Sequence, residues 1–256
     1  MIEFRKAIRT LQNLFPGLGD LKNDFYYHSR KTFRIPHERD FAIVASLPKW
    51  DDDLYLDVGG NHGQSILSMR IFRTDMKIIS FEPSPRLYAE MVRRFGGTPL
   101  TEIRNYGLGS AETTLPLYVP SYNGFVYDGL ATFSYEAATN HLNSSTLYFF
   151  NPKRLSVQKM ECHIKTLDSL DLAPTFMKID VEGFEYEVLA GGMETVKRHE
   201  PVIMIERYWD DPRVFKTLSD LGYAEVAWKD GRFSRGTTTR LNAIMMTERR
   251  FSQCPQ

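Results

Sequence analysis

Between Leu54 and Glu206 the chain alternates short apolar runs with longer amphipathic stretches, and that alternation most narrows the folds open to it. Leu54-Tyr55-Leu56 and Lys77-Ile78-Ile79-Ser80-Phe81 are two such runs, and Glu102-Ile103-Arg104 is a weaker third. Phe176-Met177-Lys178-Ile179 and Val202-Ile203-Met204-Ile205 follow later. Helical spacing fills Gln64 to Arg73, Pro85 to Phe95 and Phe184 to Arg198. Repeated strand–helix–strand units fold right-handed around a mainly parallel sheet covered on both faces. Val214 to Leu221 reads as one more helix, and Ala224–Trp228 with Leu241–Met246 as a closing antiparallel pair. The expected fold is α/β, a doubly wound, mainly parallel, seven-stranded sheet that binds ligands at the carboxyl ends of its strands.

Residues 1–50 stand apart as a helical extension to a main domain at 51–250. Ile2, Phe4, Ile8, Leu11 and Phe15 recur at helical spacing among Arg5, Lys6 and Arg9, and Pro16 with Gly17-Leu18-Gly19 ends that helix. Such a basic amphipathic helix suits either a membrane surface or packing on the core or a partner subunit. His37 to Leu47 reads as a second helix closed by Pro48. Lys plus Arg and Asp plus Glu both total 32, so no global field draws nucleic acid. Cys162 and Cys254 lie outside any metal-ligand spacing, which points to a reducing compartment. No apolar run approaches a membrane span, so the chain reads as cytoplasmic.

Chemistry concentrates at three strand ends. In Leu56-Asp57-Val58-Gly59-Gly60-Asn61-His62-Gly63 an apolar strand ends in an acid and enters a glycine-rich turn before a helix. Glycines let backbone pass close to a ligand. If Gly59 and Gly63 frame the loop, Asn61 takes the position where a dinucleotide fingerprint wants its middle glycine, a poor fit to a diphosphate. A sulfonium methyl donor carries no phosphate, and Asp57 suits its positive charge. At the second strand end, Phe81-Glu82-Pro83-Ser84-Pro85 places an acid where ribose hydroxyls are bound in such folds. Asn105, in Asn105-Tyr106-Gly107-Leu108-Gly109, offers an amide to an adenine. At the third, Met177-Lys178-Ile179-Asp180-Val181-Glu182-Gly183 sets Lys178 and Asp180 on one strand face, where burial requires them to pair.

These three motifs, in this order, resemble the FkbM family of methyltransferases, with Thr166-Leu167-Asp168 ahead of the third and Glu206 closing the next strand. The resemblance spans roughly Leu54 to Glu206. It departs at His62, where an apolar residue is more frequent, and at Gly60, where alanine is common. It implies a class I, Rossmann-like methyltransferase fold, S-adenosylmethionine as cofactor, and O-methyl transfer, often to a hydroxyl of a sugar, glycolipid, polysaccharide or secondary metabolite. A sugar hydroxyl benefits from a general base, and Asp180, Glu182, Glu206 and His62 are the candidates. Asp57, Gly59, Gly60, Asn61, Gly63, Glu82 and Asn105 form the expected cofactor set. The trio Asp180, Glu182 and Glu206 also suits a divalent cation, a less favoured reading.

The segment 119–155 is an insertion rich in aromatics, and long insertions often serve as lids. Tyr122 and Tyr127, with Lys178, are the expected acceptor-binding residues; a hydrophobic mini-core inside the insertion is the competing reading. The expected partner is a carbohydrate or glycolipid acceptor, with a homo-oligomer left open. Two other functions stay open: a nicotinamide-dependent oxidoreductase, against which the glycine spacing counts, and a non-catalytic glycan-binding protein of the same fold. A nucleic-acid methyltransferase is disfavoured, because Asn151-Pro152-Lys153-Arg154 lacks the second proline and aromatic of a base-flipping block.

Overall fold

The apolar runs do form parallel strands, and the glycine-rich and acidic turns lie at their carboxyl ends. A computed structural model describes residues 2–13, 19–206, 211–237 and 241–256, without the side chains of 2–5 and 19–22. In chain order the elements are α1 (Ile2–Gln12), α2 (Gly19–Phe33), β1 (Leu54–Val58), α3 (Gln64–Phe72), β2 (Lys77–Phe81), α4 (Pro85–Phe95), β3 (Thr101–Arg104), β4 (Gly107–Leu108), β5 (Thr113–Tyr122), β6 (Phe125–Val126), α5 (Tyr135–Asn140), β7 (Leu155–Lys165), β8 (Phe176–Ile179), α6 (Glu185–Ala190), α7 (Met193–His199), β9 (Val202–Glu206), α8 (Pro212–Asp220), β10 (Tyr223–Lys229), β11 (Arg232–Arg235), β12 (Asn242–Thr247) and α9 (Glu248–Gln253). The chain divides into a smaller unit, Met1–Phe33 with Leu115–Cys162, and a larger one, Arg34–Thr114 with His163–Gln256.

The larger unit is the doubly wound α/β domain. Its sheet runs β11-β10-β12-β9-β8-β1-β2-β3. β3, β2, β1, β8 and β9 are parallel, and β12 is antiparallel to both β9 and β10. Every residue of β8 is buried, as a strand covered on both faces requires. The fold class is the expected one, with an eighth strand added at the edge. Asp230 and Gly231, both at positive φ, make a two-residue turn that pairs Lys229 with Arg232 and folds β11 back on β10.

Three local expectations need correction. The single helix expected over Phe184 to Arg198 is two helices, because a Cβ at Gly191 would lie 1.9 Å from the carbonyl oxygen of Gly109, so close backbone contact breaks the helix there. The helix expected from His37 to Leu47 is a 3-10 turn over Arg39–Ala45, which buries Phe41, Ile43 and Val44. α2 had no counterpart in the sequence reading. Of the first helix, Phe15 to Leu18 and the side chains of Ile2, Phe4 and Arg5 lie outside the described residues.

The smaller unit has its own core. Tyr122, Tyr127, Leu142 and Leu147 form a buried cluster, and Leu117, Val119 and Cys162 a second. α1 belongs to this unit and docks on the insertion. Thr10 Oγ1 accepts from the Tyr148 amide at 3.0 Å, and Lys6 Nζ sits 4.6 Å from the centre of the Tyr148 ring. Both cysteines are buried and free, and no helix among the described residues is long and apolar enough to cross a membrane.

Candidate active site

The loop after β1 is held by β2 and pressed onto the end of β8. Gly59 and Gly60 both donate their amides to the Phe81 carbonyl, at 3.1 and 3.0 Å. Gly59 has φ +94°, and a Cβ there would meet the Asp180 carbonyl oxygen at 1.8 Å, so only glycine lets the two loops touch. At Gly60 an added Cβ would lie 2.5 Å from Ser80 Oγ and 2.6 Å from Met91, which accounts for glycine at a position where alanine is common in similar sequences. Gly63 opens α3 with its backbone against Phe95.

Asp57 sits beneath this loop without exposed surface. Ser80 Oγ donates to its Oδ2 at 2.7 Å, and Ser80 and Lys178 flank it in register on β2 and β8. Burial pushes its carboxyl pKa up, against the pull of Lys178. Asp57 braces the loop through Oδ2, while its Oδ1 is buried with no hydrogen-bond partner among the described residues.

Glu82 and Asn61 face each other across the loop. The Asn61 amide donates to Glu82 Oε2 at 2.7 Å, and the Ser84 amide to Oε1 at 2.8 Å. These two bonds fix the Glu82 carboxylate against the glycine loop. Asn61 Oδ1 is buried and has no hydrogen-bond partner among the described residues. An orphaned acceptor in the glycine loop, beside an acid, fits the cationic and hydroxyl donors of S-adenosylmethionine. Asn105 Nδ2 donates to the carbonyls of Glu82 and Pro83 at 2.9 and 3.3 Å, fastening the turn after β2 and leaving its own carbonyl for an adenine amine.

His62 is engaged elsewhere. Its Nδ1 lies 2.9 Å from Glu90 Oε1 on α4, Glu90 pairs with Arg94 at 2.6 Å, and Arg94 donates to the His62 carbonyl at 3.0 Å. Burial would raise the Glu90 pKa, but His62 and Arg94 outweigh it and hold the carboxyl below its usual value. This network ties the glycine loop to α4.

The other candidate bases do converge. Asp180, Glu182 and Glu206 each place a carboxylate oxygen within 4.8 Å of the others, a spacing at which three acids can share an ion or a proton. Lys178 Nζ is 2.6 Å from Asp180 Oδ2, the pairing expected of residues two apart on one strand. Burial works against the Lys178 charge, yet Asp180, Asp57 and Glu38 raise its pKa. Burial would likewise raise Asp180, but Lys178 holds it ionised, its pKa below the usual value. Burial and the neighbouring Asp180 charge raise the Glu206 pKa, and Glu206 Oε2 is buried with no hydrogen-bond partner among the described residues. Burial, Asp180 and Glu185 push Glu182 up to about 8. The loop is braced from below, where Glu185 Oε1 accepts from the Val181 and Gly183 amides at 3.1 and 3.2 Å. Asp168 caps α7, accepting from the Glu194 and Thr195 amides.

Four residues at this edge escaped the sequence reading. Asn242, paired in register with Glu206, donates its side-chain amide to Glu38 at 2.7 Å and to Asp40 at 3.1 Å. Glu38 is raised by burial, against its bond to Asn242 and the field of Lys178, and His37 beside it helps hold Asp180 ionised. Glu38 and Asn242 are 204 residues apart, and no local pattern joins them. The acidic run-in His37-Glu38-Arg39-Asp40 was the one visible hint.

Tyr122 and Tyr127 are buried in the smaller unit's own core rather than presented to an acceptor. The Tyr122 hydroxyl accepts from the Asn151 amide at 2.8 Å, and the Tyr127 hydroxyl donates to Asn13 Oδ1 at 2.8 Å. Their rings fill the insertion's core and their polar tips are satisfied within it, the arrangement of the hydrophobic mini-core that was the competing reading of the insertion.

Residues 57–224 match the family described as the Methyltransferase FkbM domain. The chain is 26% identical over 160 residues to 2-O-methyltransferase NoeI of Sinorhizobium fredii, a match covering 60% of this chain and 63% of that one. It is 27% identical over 225 residues to Methyltransferase sdnD of Sordaria araneosa, covering 77% and 84%. The chain thus spans a little under two thirds of the rhizobial relative and most of the fungal one. Among solved structures it is similar to Methyltransferase FkbM from Methylobacillus flagellatus, with a TM-score of 0.47 and 16% identity over 79% of this chain and 47% of that one.

Proposed function

The chain belongs to the FkbM methyltransferase family, and from that membership we propose that it moves the methyl group of S-adenosylmethionine onto a hydroxyl oxygen of a carbohydrate-type acceptor. The observation that carries this reading is the carboxylate trio Asp180, Glu182 and Glu206, pressed against the glycine loop through the contact of Gly59 with Asp180. The name of the rhizobial relative, a 2-O-methyltransferase, supports oxygen as the accepting atom. An edge lined by the trio, Glu38 and Asn242 offers the dense hydrogen-bonding groups that a polyhydroxylated acceptor needs.

Bound S-adenosylmethionine supplies an electrophilic methyl group on a sulfonium centre. When bound, it would be held by Glu82 at the ribose hydroxyls, by Asn61 Oδ1 at the ammonium of the amino-acid tail and by Asn105 at the adenine. Positioning acceptor and methyl group in line supplies much of the rate. A carboxylate of the trio would take the proton of the acceptor hydroxyl as its oxygen bonds the methyl carbon and the carbon–sulfur bond breaks, the sulfur leaving as a neutral thioether. Glu182 and Glu206, raised by burial and then by the Asp180 charge, are stronger bases than an ordinary carboxylate, while ionised Asp180 stays paired to Lys178. The same oxygens also have the spacing to bind a divalent cation.

Calorimetric titration with S-adenosylmethionine and with NADH, for the wild type and Glu82→Ala, tests the cofactor assignment. S-adenosylmethionine alone should bind, and weakly to the variant; binding of NADH, or of neither, would sink the reading. Transfer of a labelled methyl group to a panel of methyl glycosides then tests the acceptor class. Labelling of amines or thiols in preference to hydroxyls would refute oxygen transfer.

A further inference from the structure

We propose that the smaller unit is a docking surface for a lipid bilayer with anionic headgroups. The proposal is independent of the acceptor assigned above. Exposed large aromatics are the first observation. Among the described residues they are Phe25, Tyr26, Phe33, Tyr135 and Phe149, and all five belong to the smaller unit. The exposed large apolar residues of the larger unit are aliphatic: Ile35, Val92, Leu100 and Leu241. Single exposed aliphatics are ordinary on soluble surfaces, whereas grouped exposed aromatics mark an interaction surface.

Three of the five exposed aromatics share one face of one helix. At 3.6 residues per turn, Phe25, Tyr26 and Phe33 fall within an arc of about 100° on α2. Phe25 and Phe33 are 69% and 71% exposed, and Arg30 lies on the edge of the same face. On α1, Ile8 and Leu11 are exposed three residues apart. Tyr148 is fixed to α1 through Thr10 and Lys6, and the next residue, Phe149, is 94% exposed at a positive φ of 53°. A bulky aromatic turned fully outward in a left-handed conformation gains nothing within the chain from that placement.

Charge selects the occupant. The smaller unit carries nine Lys and Arg against six Asp and Glu, and six of those nine cations lie in its first 33 residues. Because the whole chain is neutral, the larger unit carries the compensating negative excess. Aromatic rings beside basic residues are the chemistry of the headgroup region: the rings enter the acyl boundary while Lys and Arg meet anionic phosphates. A second copy of the chain is a poorer occupant, since a two-fold interface sets the same basic surface against itself.

The test is sedimentation of the full chain with vesicles of phosphatidylcholine alone and of equal parts phosphatidylcholine and phosphatidylglycerol. Partitioning should be about tenfold stronger on the anionic vesicles, weaken in high salt, and fall about tenfold in Phe25→Ser/Phe33→Ser. Phe149→Ser should give a smaller loss in the same direction. Both changes replace exposed side chains, and an unchanged thermal transition confirms that each variant folds. Equal binding to both vesicle types, binding to neither, or wild-type partitioning by the double variant overturns the proposal. Self-association in light scattering that the double variant abolishes, without vesicle binding, assigns the face to a second copy and also overturns it.

Discussion

Asp57 and Glu82, at the ends of β1 and β2, give their oxygens to hydroxyl and backbone N–H donors. Asp180, Glu182 and Glu206, beside the ends of β8 and β9, instead face one another around Lys178. The two groups of acids lie on neighbouring strands of one sheet, and burial raises Asp57, Glu182 and Glu206 alike, so it is their partners that differ. A carboxylate that receives fixed donors becomes part of the scaffold, and Glu82 sets the shape of the glycine loop. Glu182 and Glu206, buried beside the charged Asp180, hold a proton more tightly, while Lys178 keeps Asp180 ionised. The first arrangement suits binding and the second suits proton transfer.

The comparison breaks most sharply at Lys178. Lys178→Met removes the cation from between Asp57 and Asp180 and should cost about 3–5 kcal/mol in urea unfolding, with the deficit shrinking in acid as the carboxyls protonate. A deficit independent of pH would mean that packing, not charge, is what Lys178 provides. Gly59→Ala should cost about 3 kcal/mol, since a Cβ has no room between the two loops and the residue sits at positive φ. Full stability in that variant would show that the loops move apart freely. Glu82→Ala should weaken S-adenosylmethionine at least about tenfold, or about 1.4 kcal/mol, in calorimetry. Glu82→Gln, which keeps one acceptor, should recover part of the loss.

Glu182 sharpens the contrast through pH. Its carboxyl is raised from 4.5 to about 8, so between those values the folded chain keeps a proton that the unfolded chain has released. Stability from this group is therefore fully present in acid and falls as pH rises through the window. Urea unfolding across it should show that decline in the wild type and a flatter profile in Glu182→Gln. Methyl transfer should rise over the same range as Glu182 and its neighbours lose their protons. A flat rate profile in the wild type would exclude the trio as base. The smallest effect belongs to Tyr127→Phe in the smaller unit, where loss of the hydroxyl bond to Asn13 should cost about 1 kcal/mol.

Much of this site was legible because it is local. The glycine turn, Glu82 at the end of β2 and the pairing of Lys178 with Asp180 all follow from strand periodicity and from what burial demands of a charge. The eighth strand was legible too, since Asp230-Gly231 between alternating residues is a hairpin signature that the sequence reading passed over. Other features were not. Glu38 and Asn242 reach the acids only through packing between distant segments, and Gly191 interrupts a helix only because Gly109 lies against it. Tyr122 and Tyr127 look the same in sequence whether they line a binding surface or fill a core, and their burial depends on α1 and the rest of the insertion.

By itself, then, the sequence determined the α/β class, the strand ends that carry chemistry and the family to which the chain belongs. Period, turn and charge pairing act over a few residues and leave a pattern that can be read directly. Tertiary structure alone decided which acids stand within reach of one another, which are sealed into the scaffold and which aromatics face outward. Those outcomes depend on the distance and burial of groups far apart in the chain, and a carboxylate's proton affinity or an aromatic's exposure is set by its neighbours in space.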